Sequence, residues 1–185
     1  MQKPKYVVVY ANPINDPYWR NVLLIEKQKP AWQKGCLNLP GGKVEPGENV
    51  LEAAVRELKE EAGLEPICEY DPAIAYNDTK LMGVIACNDC TVYCVKVDVY
   101  YAQKLQPRDG EIEHIAWYDW LTVQNDRRLM PNLRLIVPLM MGDVRRWAIR
   151  DKGPKRGIIR HGVGVRLILK HPFMKEEQPY EGTER

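Results

Sequence analysis

No apolar run in this 185-residue chain approaches the roughly 20 residues that a membrane-spanning helix needs. The opening YVVVYA stretch is short and runs into Asn12-Pro13, so it reads as a strand and not as a signal peptide. The cysteines Cys36, Cys68, Cys87, Cys90 and Cys94 are odd in number and lack the density of a secreted disulfide scaffold. Internal repeats and low-complexity tracts are absent as well. These absences remove membrane, secreted-miniprotein and solenoid classes and make the cytoplasm the expected location. An apolar fraction of 45% and a charged fraction of 28% then suit an ordinary globule with a sizeable core.

Along the chain, residues 5–11 read as a buried strand, followed by a proline-rich turn at 12–17 and a second strand within 20–28. Lys29-Pro30 breaks that strand and precedes a loop bearing Trp32. Three further strands are expected at 67–76, 80–87 and 91–102. Cys87-Asn88-Asp89-Cys90 reads as a hairpin with Asn-Asp at its turn, and zinc or redox use of the C-x-x-C spacing is the alternative. Residues 111–120 predict a short strand and a turn. Residues 133–147 predict a helix containing Pro138, and 164–170 a final strand. The pattern is α+β, with a first domain over 1–150 and a basic C-terminal extension, 151–185, packed on it.

The stretch that states a chemistry is Gly42–Leu64, GKVEPGENVLEAAVRELKEEAGL. Leu51, Ala54, Val55, Leu58 and Ala62 fall at helical spacing and form an apolar stripe. Asn49 is placed to cap the helix N-terminus, and Gly63 to end it in the left-handed region. Glu57, Glu60 and Glu61 lie at i, i+3 and i+4, so their carboxylates share a different face. Like charges at that spacing repel, and a hard divalent cation such as Mg2+ would compensate them. An acidic helix after a glycine turn is also the wrong electrostatics for bare phosphate, which a P-loop binds through lysine and a positive helix end.

Gly42, Glu48, Arg56-Glu57-Leu58, Glu60-Glu61 and Gly63-Leu64 fill the Nudix box, a pattern of nine restricted positions at fixed spacing. The chain therefore resembles a Nudix hydrolase. The resemblance implies a mixed sheet between helices, an α/β/α sandwich with the box as a loop-helix-loop. It implies hydrolysis of a pyrophosphate link with Mg2+, or Mn2+ as a substitute, the metal neutralising phosphate charge and lowering the pKa of water. Carried over by position, Glu57, Glu60 and Glu61 match the metal-binding glutamates, with the Gly41 carbonyl as a further ligand. Arg56 matches the arginine that orients them, and Glu48 an outer residue that holds Arg56 or a water. The group that deprotonates water varies in the family between a box glutamate and one on a later loop, where Glu111 and Glu113 fall; Glu111 is the preferred candidate, as base or extra ligand.

Substrate choice lies outside the box. Tyr10, Trp32 and Tyr76 are candidates for stacking a base, although aromatic residues at strand ends commonly belong to the core or its rim. Arg20 and Asn38 join Tyr10 and Tyr76 as candidate substrate contacts. About sixteen residues past the box, where some ADP-ribose hydrolases carry proline and some dinucleoside polyphosphate hydrolases tyrosine, this chain has Lys80. Between Arg127 and Lys170 twelve basic residues face only Asp143 and Asp151. This is either a solvated surface or a guide for a polyanion such as RNA. The leading expectation is hydrolysis of a small nucleotide: ADP-ribose or another nucleotide sugar, a dinucleoside polyphosphate, or a nucleoside triphosphate. An RNA 5'-end or cap hydrolase and a ligand sensor with a nucleic-acid-binding tail are the alternatives. No membrane partner is expected, and a homodimer is an allowed assembly.

Overall fold

A computed structural model describes residues 3–18, 20–67, 79–106, 110 and 112–142, together with the backbone of two strands at 147–151 and 165–169. Its strands are β1 (Lys5–Ile14), β2 (Asn21–Lys27), β3 (Leu37–Asn38), β4 (Thr79–Ala86), β5 (Thr91–Tyr100), β6 (Ile112–Asp119), β7 (Trp147–Asp151) and β8 (Val165–Leu169). The helices are α1 (Val50–Ala62), the single turn α2 (Trp120–Val123) and α3 (Leu133–Met141). One sheet has the order β1-β5-β4-β7-β8, and a smaller one β3-β2-β6. The larger sheet is mixed: β1 runs parallel to β5 and β4 parallel to β7, while β4–β5 and β7–β8 are antiparallel.

The strand period of two explains how this sheet holds two cores. Val9 and Ala11 of β1 join Leu23, Val95, Val97 and Val99 against Ala54, Leu58 and Ala62 of α1. Tyr10, with Val8 beside it, points to the other side and packs with Val22, Leu24, Leu129, Leu133, Ile136 and Met140 around α3. A strand buried on both faces must be apolar at nearly every position, which accounts for the uninterrupted VVVYA of β1. The result is the mixed sheet between helices that the box resemblance implies.

Several elements differ from the sequence reading. Residues 68–78 lie outside the described residues, so the expected strand at 67–76, and with it Tyr76 and Cys68, is not part of this description. The segment at 111–120 forms an eight-residue strand and then α2, whose first turn is capped by Asp119 accepting from Leu121 N at 2.8 Å. The expected helix 133–147 stops at Met141, because Gly142 is already extended (φ −73°, ψ 162°), and Trp147 opens β7 instead. Strand β7 lies beside β4, with Gly83 opposite Trp147, and β8, from the 151–185 stretch, pairs antiparallel with β7, Leu169 opposite Trp147. Asn88 and Asp89 form the β4–β5 turn, closed by Cys87 N donating to Cys90 O at 2.9 Å.

The turn between β1 and β2 is built on one buried carboxylate. Asp16 accepts from Tyr18 N (3.0 Å), Arg20 N (3.1 Å), Asn21 N (3.0 Å) and Asn21 Nδ2 (2.7 Å). Burial opposes its ionisation, but these donors outweigh it and hold the carboxyl below the usual aspartate range. Asp16→Asn should cost about 2 kcal/mol at pH 7, because a buried donor loses its acceptor. A group with a lowered folded pKa gives stability that is present above its unfolded value and lost as pH falls through the folded one. The gap between wild type and Asp16→Asn in urea unfolding should therefore close below about pH 4.

Candidate active site

The glycine turn at the foot of the box is fixed by β1. Val9 N donates to Pro40 O (2.8 Å), Val7 N to Gly42 O (2.9 Å) and Val44 N to Lys5 O (2.9 Å), so residues 40–44 run along the strand. Gly41 has φ +150°, and a side chain there would collide with Val7 O and come 2.9 Å from Val8 Cα. A Cβ on Gly42 would instead sit 2.6 Å from Glu57 Oε2. The first glycine lets the loop meet the sheet; the second makes room for a carboxylate.

The helix that follows starts and stops where its sequence says. Asn49 Oδ1 accepts from Leu51 N (2.9 Å) and Glu52 N (3.0 Å), and Glu52 accepts from Asn49 N (2.8 Å), a capping box. Gly63 ends the helix at φ 68°, its N–H bonded to Lys59 O. The three glutamates do not share one environment, however. Glu57 and Glu61, one turn apart, are buried beside Ala53 and Ala54, whereas the Glu60 side chain is 52% exposed.

Arg56 ties the box together. Its Nε and Nη2 grip both oxygens of Glu48 at 3.1 and 2.8 Å, and Nη2 also donates to Lys43 O at 3.0 Å. Nη1 reaches Glu57 Oε1 at 2.8 Å and Glu60 Oε2 at 3.2 Å. Glu48 also accepts from Glu45 N at 2.6 Å, which closes the Pro46-Gly47 loop. The bonds from Arg56 hold the Glu48 carboxyl below the usual range, while the bond to Glu48 raises the Arg56 pKa.

Glu61 is anchored separately. Its Oε2 accepts from Gly41 N at 2.7 Å, and its Oε1 from Lys27 Nζ at 2.9 Å. Lys27 Nζ also donates to Gly41 O at 2.9 Å. Burial pushes the Glu61 carboxyl up to about 7 against the opposing pull of Lys27, and burial likewise raises Glu57 against Arg56. Lys27 was not singled out in the sequence. No local pattern marks it, because β2 is buried at every position from Asn21 to Ile25 and only the fold brings Lys27 to Glu61.

The remaining sequence candidates are dispersed. Tyr10 is buried in the core around α3, with no ring face open for stacking. Arg20 stands at the opposite end of β2 from Lys27 and pairs with Asp119 at 2.7 Å, away from the glutamates. Asn38 lies on β3 opposite Ile25, three residues before Gly41, and accepts from Leu39 N. Trp32 is 69% exposed on a single 3-10 turn. Glu111 lies outside the described residues; Glu113 is exposed on β6, between the pairs Glu26–His114 and Lys27–Ile112.

Four carboxylates (Glu48, Glu57, Glu60, Glu61) thus meet two cations (Lys27, Arg56), so acids outnumber the cations paired with them. The donors are hard oxygens, the set a divalent magnesium-like cation prefers. Among the described residues no three His, Cys, Asp or Glu side chains converge into a cage. Mg2+ commonly takes one or two carboxylates and completes its shell with water and substrate phosphate, so this donor set fits such an ion. With a divalent cation between it and the substrate, such a cluster would let the cation neutralise charge on a phosphate ester or anhydride while an exposed carboxylate accepts a proton.

Comparison with known proteins converges on the same region. A model of the NUDIX domain matches residues 5–140. The chain is 59% identical over 46 residues to an ADP-ribose pyrophosphatase of Methanocaldococcus jannaschii, covering 25% of this chain and 27% of that protein. It is 30% identical over 101 residues to an ADP-sugar pyrophosphatase of Mus musculus, covering 51% and 43%. The chain therefore spans less than half the length of either relative. A crystal structure of a MutT protein from Bacillus halodurans superposes with a TM-score of 0.59 at 17% identity, over 89% of this chain and 97% of the other.

The two glycines should respond differently to substitution. Gly41→Ala meets backbone on β1 and should lower the unfolding free energy by about 2 kcal/mol or more, on the scale of overpacking. Gly42→Ala meets only the tip of Glu57, which can turn aside, and should cost less than about 1 kcal/mol. Chemical denaturation of the two variants beside wild type measures both.

Proposed function

Since the chain belongs to the NUDIX domain family, we propose that it is a hydrolase that cuts the pyrophosphate link of a nucleoside diphosphate joined to another moiety. ADP-ribose and related ADP-sugars are the first substrates in view, because the two relatives above carry those names. The observation that carries this reading is the carboxylate cluster around Arg56, with two buried and one exposed glutamate on a single helix.

Glu57, Glu60, Glu61 and the Gly41 carbonyl are the groups that would hold a divalent cation, Mg2+ or Mn2+ in its place. When bound, such an ion neutralises pyrophosphate charge, polarises phosphorus and makes water more acidic. Arg56 keeps Glu57 and Glu60 in register through charge-assisted hydrogen bonds, and Glu48 fixes Arg56 from behind. Glu60 is the cluster carboxylate most open to water, so it can take a proton from the attacking water, with Glu111 as the loop alternative. The basic 127–170 segment supports an RNA substrate through charge alone.

With Mg2+ or Mn2+, a panel of ADP-ribose, other nucleotide sugars, dinucleoside polyphosphates, nucleoside triphosphates and capped RNA should give turnover of at least one member. Product masses identify the substrate and the phosphorus attacked. Glu57→Gln and Glu61→Gln should each lower kcat by about 100-fold or more. Arg56→Lys should lose about 10-fold or more, since one ammonium cannot span the acceptors the guanidinium holds. Binding of ADP-ribose without turnover would favour a sensor, and no turnover of any member would overturn the hydrolase reading.

A further inference from the structure

Lys27 holds oxygens that the proposed metal site also needs. Its ammonium lies 2.9 Å from Glu61 Oε1 and 2.9 Å from Gly41 O, with the two side chains only 15% and 5% exposed. Glu61 Oε2 is taken by Gly41 N at 2.7 Å, so both of its oxygens are engaged. That peptide N–H cannot withdraw easily, because hydrogen bonds to β1 fix the loop on either side of it, at Pro40 O and Gly42 O. The Lys27 backbone is fixed too, its N donating to Cys36 O and its O accepting from Gly35 N. The movable member of the arrangement is the ammonium on its flexible four-carbon stem.

A divalent cation and an ammonium cannot use the same carboxylate oxygen and carbonyl without close like-charge contact, which is strongly unfavourable where little water screens it. We propose that Lys27 is a resident counter-cation that competes with the divalent metal for Glu61 and Gly41, so that metal entry at this site is an exchange of cations. The proposal rests on the metal reading above and deepens it. The exchange has two consequences of opposite sign. Without metal, Lys27 keeps a buried carboxylate paired and the glycine turn closed, so the fold does not depend on the metal. With metal, displacing the ammonium subtracts from the gain of binding, so the site binds its cation more weakly than its carboxylates alone would.

The test is Mn2+ binding by wild type, Lys27→Met, Lys27→Gln and Lys27→Arg, freed of metal by chelator and titrated calorimetrically or by the Mn2+ electron-spin signal. Lys27→Met should bind Mn2+ about tenfold more tightly or better, Lys27→Gln should move the same way, and Lys27→Arg should stay near wild type. The metal-free Lys27→Met protein should melt below wild type, and saturating Mn2+ should raise its melting temperature by more than it raises that of wild type. If Lys27→Met is too unstable to purify, Lys27→Gln, which keeps a hydrogen-bond donor, decides. Unchanged or weaker Mn2+ binding in the neutral variants overturns the proposal alone, making Lys27 a support for the ligands and not their competitor. No Mn2+ binding by any of the proteins overturns it together with the metal reading.

Discussion

Removing a carboxylate from water costs several kcal/mol unless charge and hydrogen bonds replace the water, and α1 removes two of them, Glu57 and Glu61. The replacements come from separate parts of the chain: a backbone N–H from the glycine turn, an ammonium from the end of β2 and a guanidinium from α1 itself. Each donor must arrive within hydrogen-bond distance or the helix face cannot stay buried. The acidic helix therefore disciplines the loop and the strand as much as they position it. Apolar packing of Ala54, Leu58 and Ala62 against β1 and β5 supplies the force that draws those charges inward.

Arg56 converts this burial into order. A guanidinium presents its donors in a fixed plane, so gripping Glu48 with one edge fixes where the other edge points. The Pro46-Gly47 loop, the Lys43 carbonyl and two glutamates of the helix are thereby held around one group. The exposed carboxylate of Glu60 remains available to water while its neighbours do not. Three glutamates in one short sequence run so acquire different environments.

The helix was the most legible part of the sequence because its cap, its stop and its spacing are local chemistry: Asn49, Glu52 and Gly63 do what their side chains and backbone freedom dictate. The inequality among Glu57, Glu60 and Glu61 was not legible, since it depends on where the sheet meets the helix. Lys27 was missed for the same reason, being 34 positions from Glu61 and joined to it only by the fold. Tyr10 and Arg20 went the other way. An aromatic ring and a cation near strand ends suit a ligand, but the first is core and the second is spent on Asp119. Helix 133–147 failed at Gly142, where apolar spacing continued after the backbone had turned.

Strand β7 extends the larger sheet past the end of the family match. The family match stops at residue 140, and every group of the carboxylate cluster lies before that point. Yet Gly83, Val84, Ile85 and Ala86 of β4 take Trp147–Arg150 as their second neighbour. A chain trimmed at residue 140 would keep its acidic helix and turn a largely apolar strand into a bare sheet edge, a template for pairing with another copy. Pairing with β7 covers this side of β4 and moves the edge of the sheet out to β8.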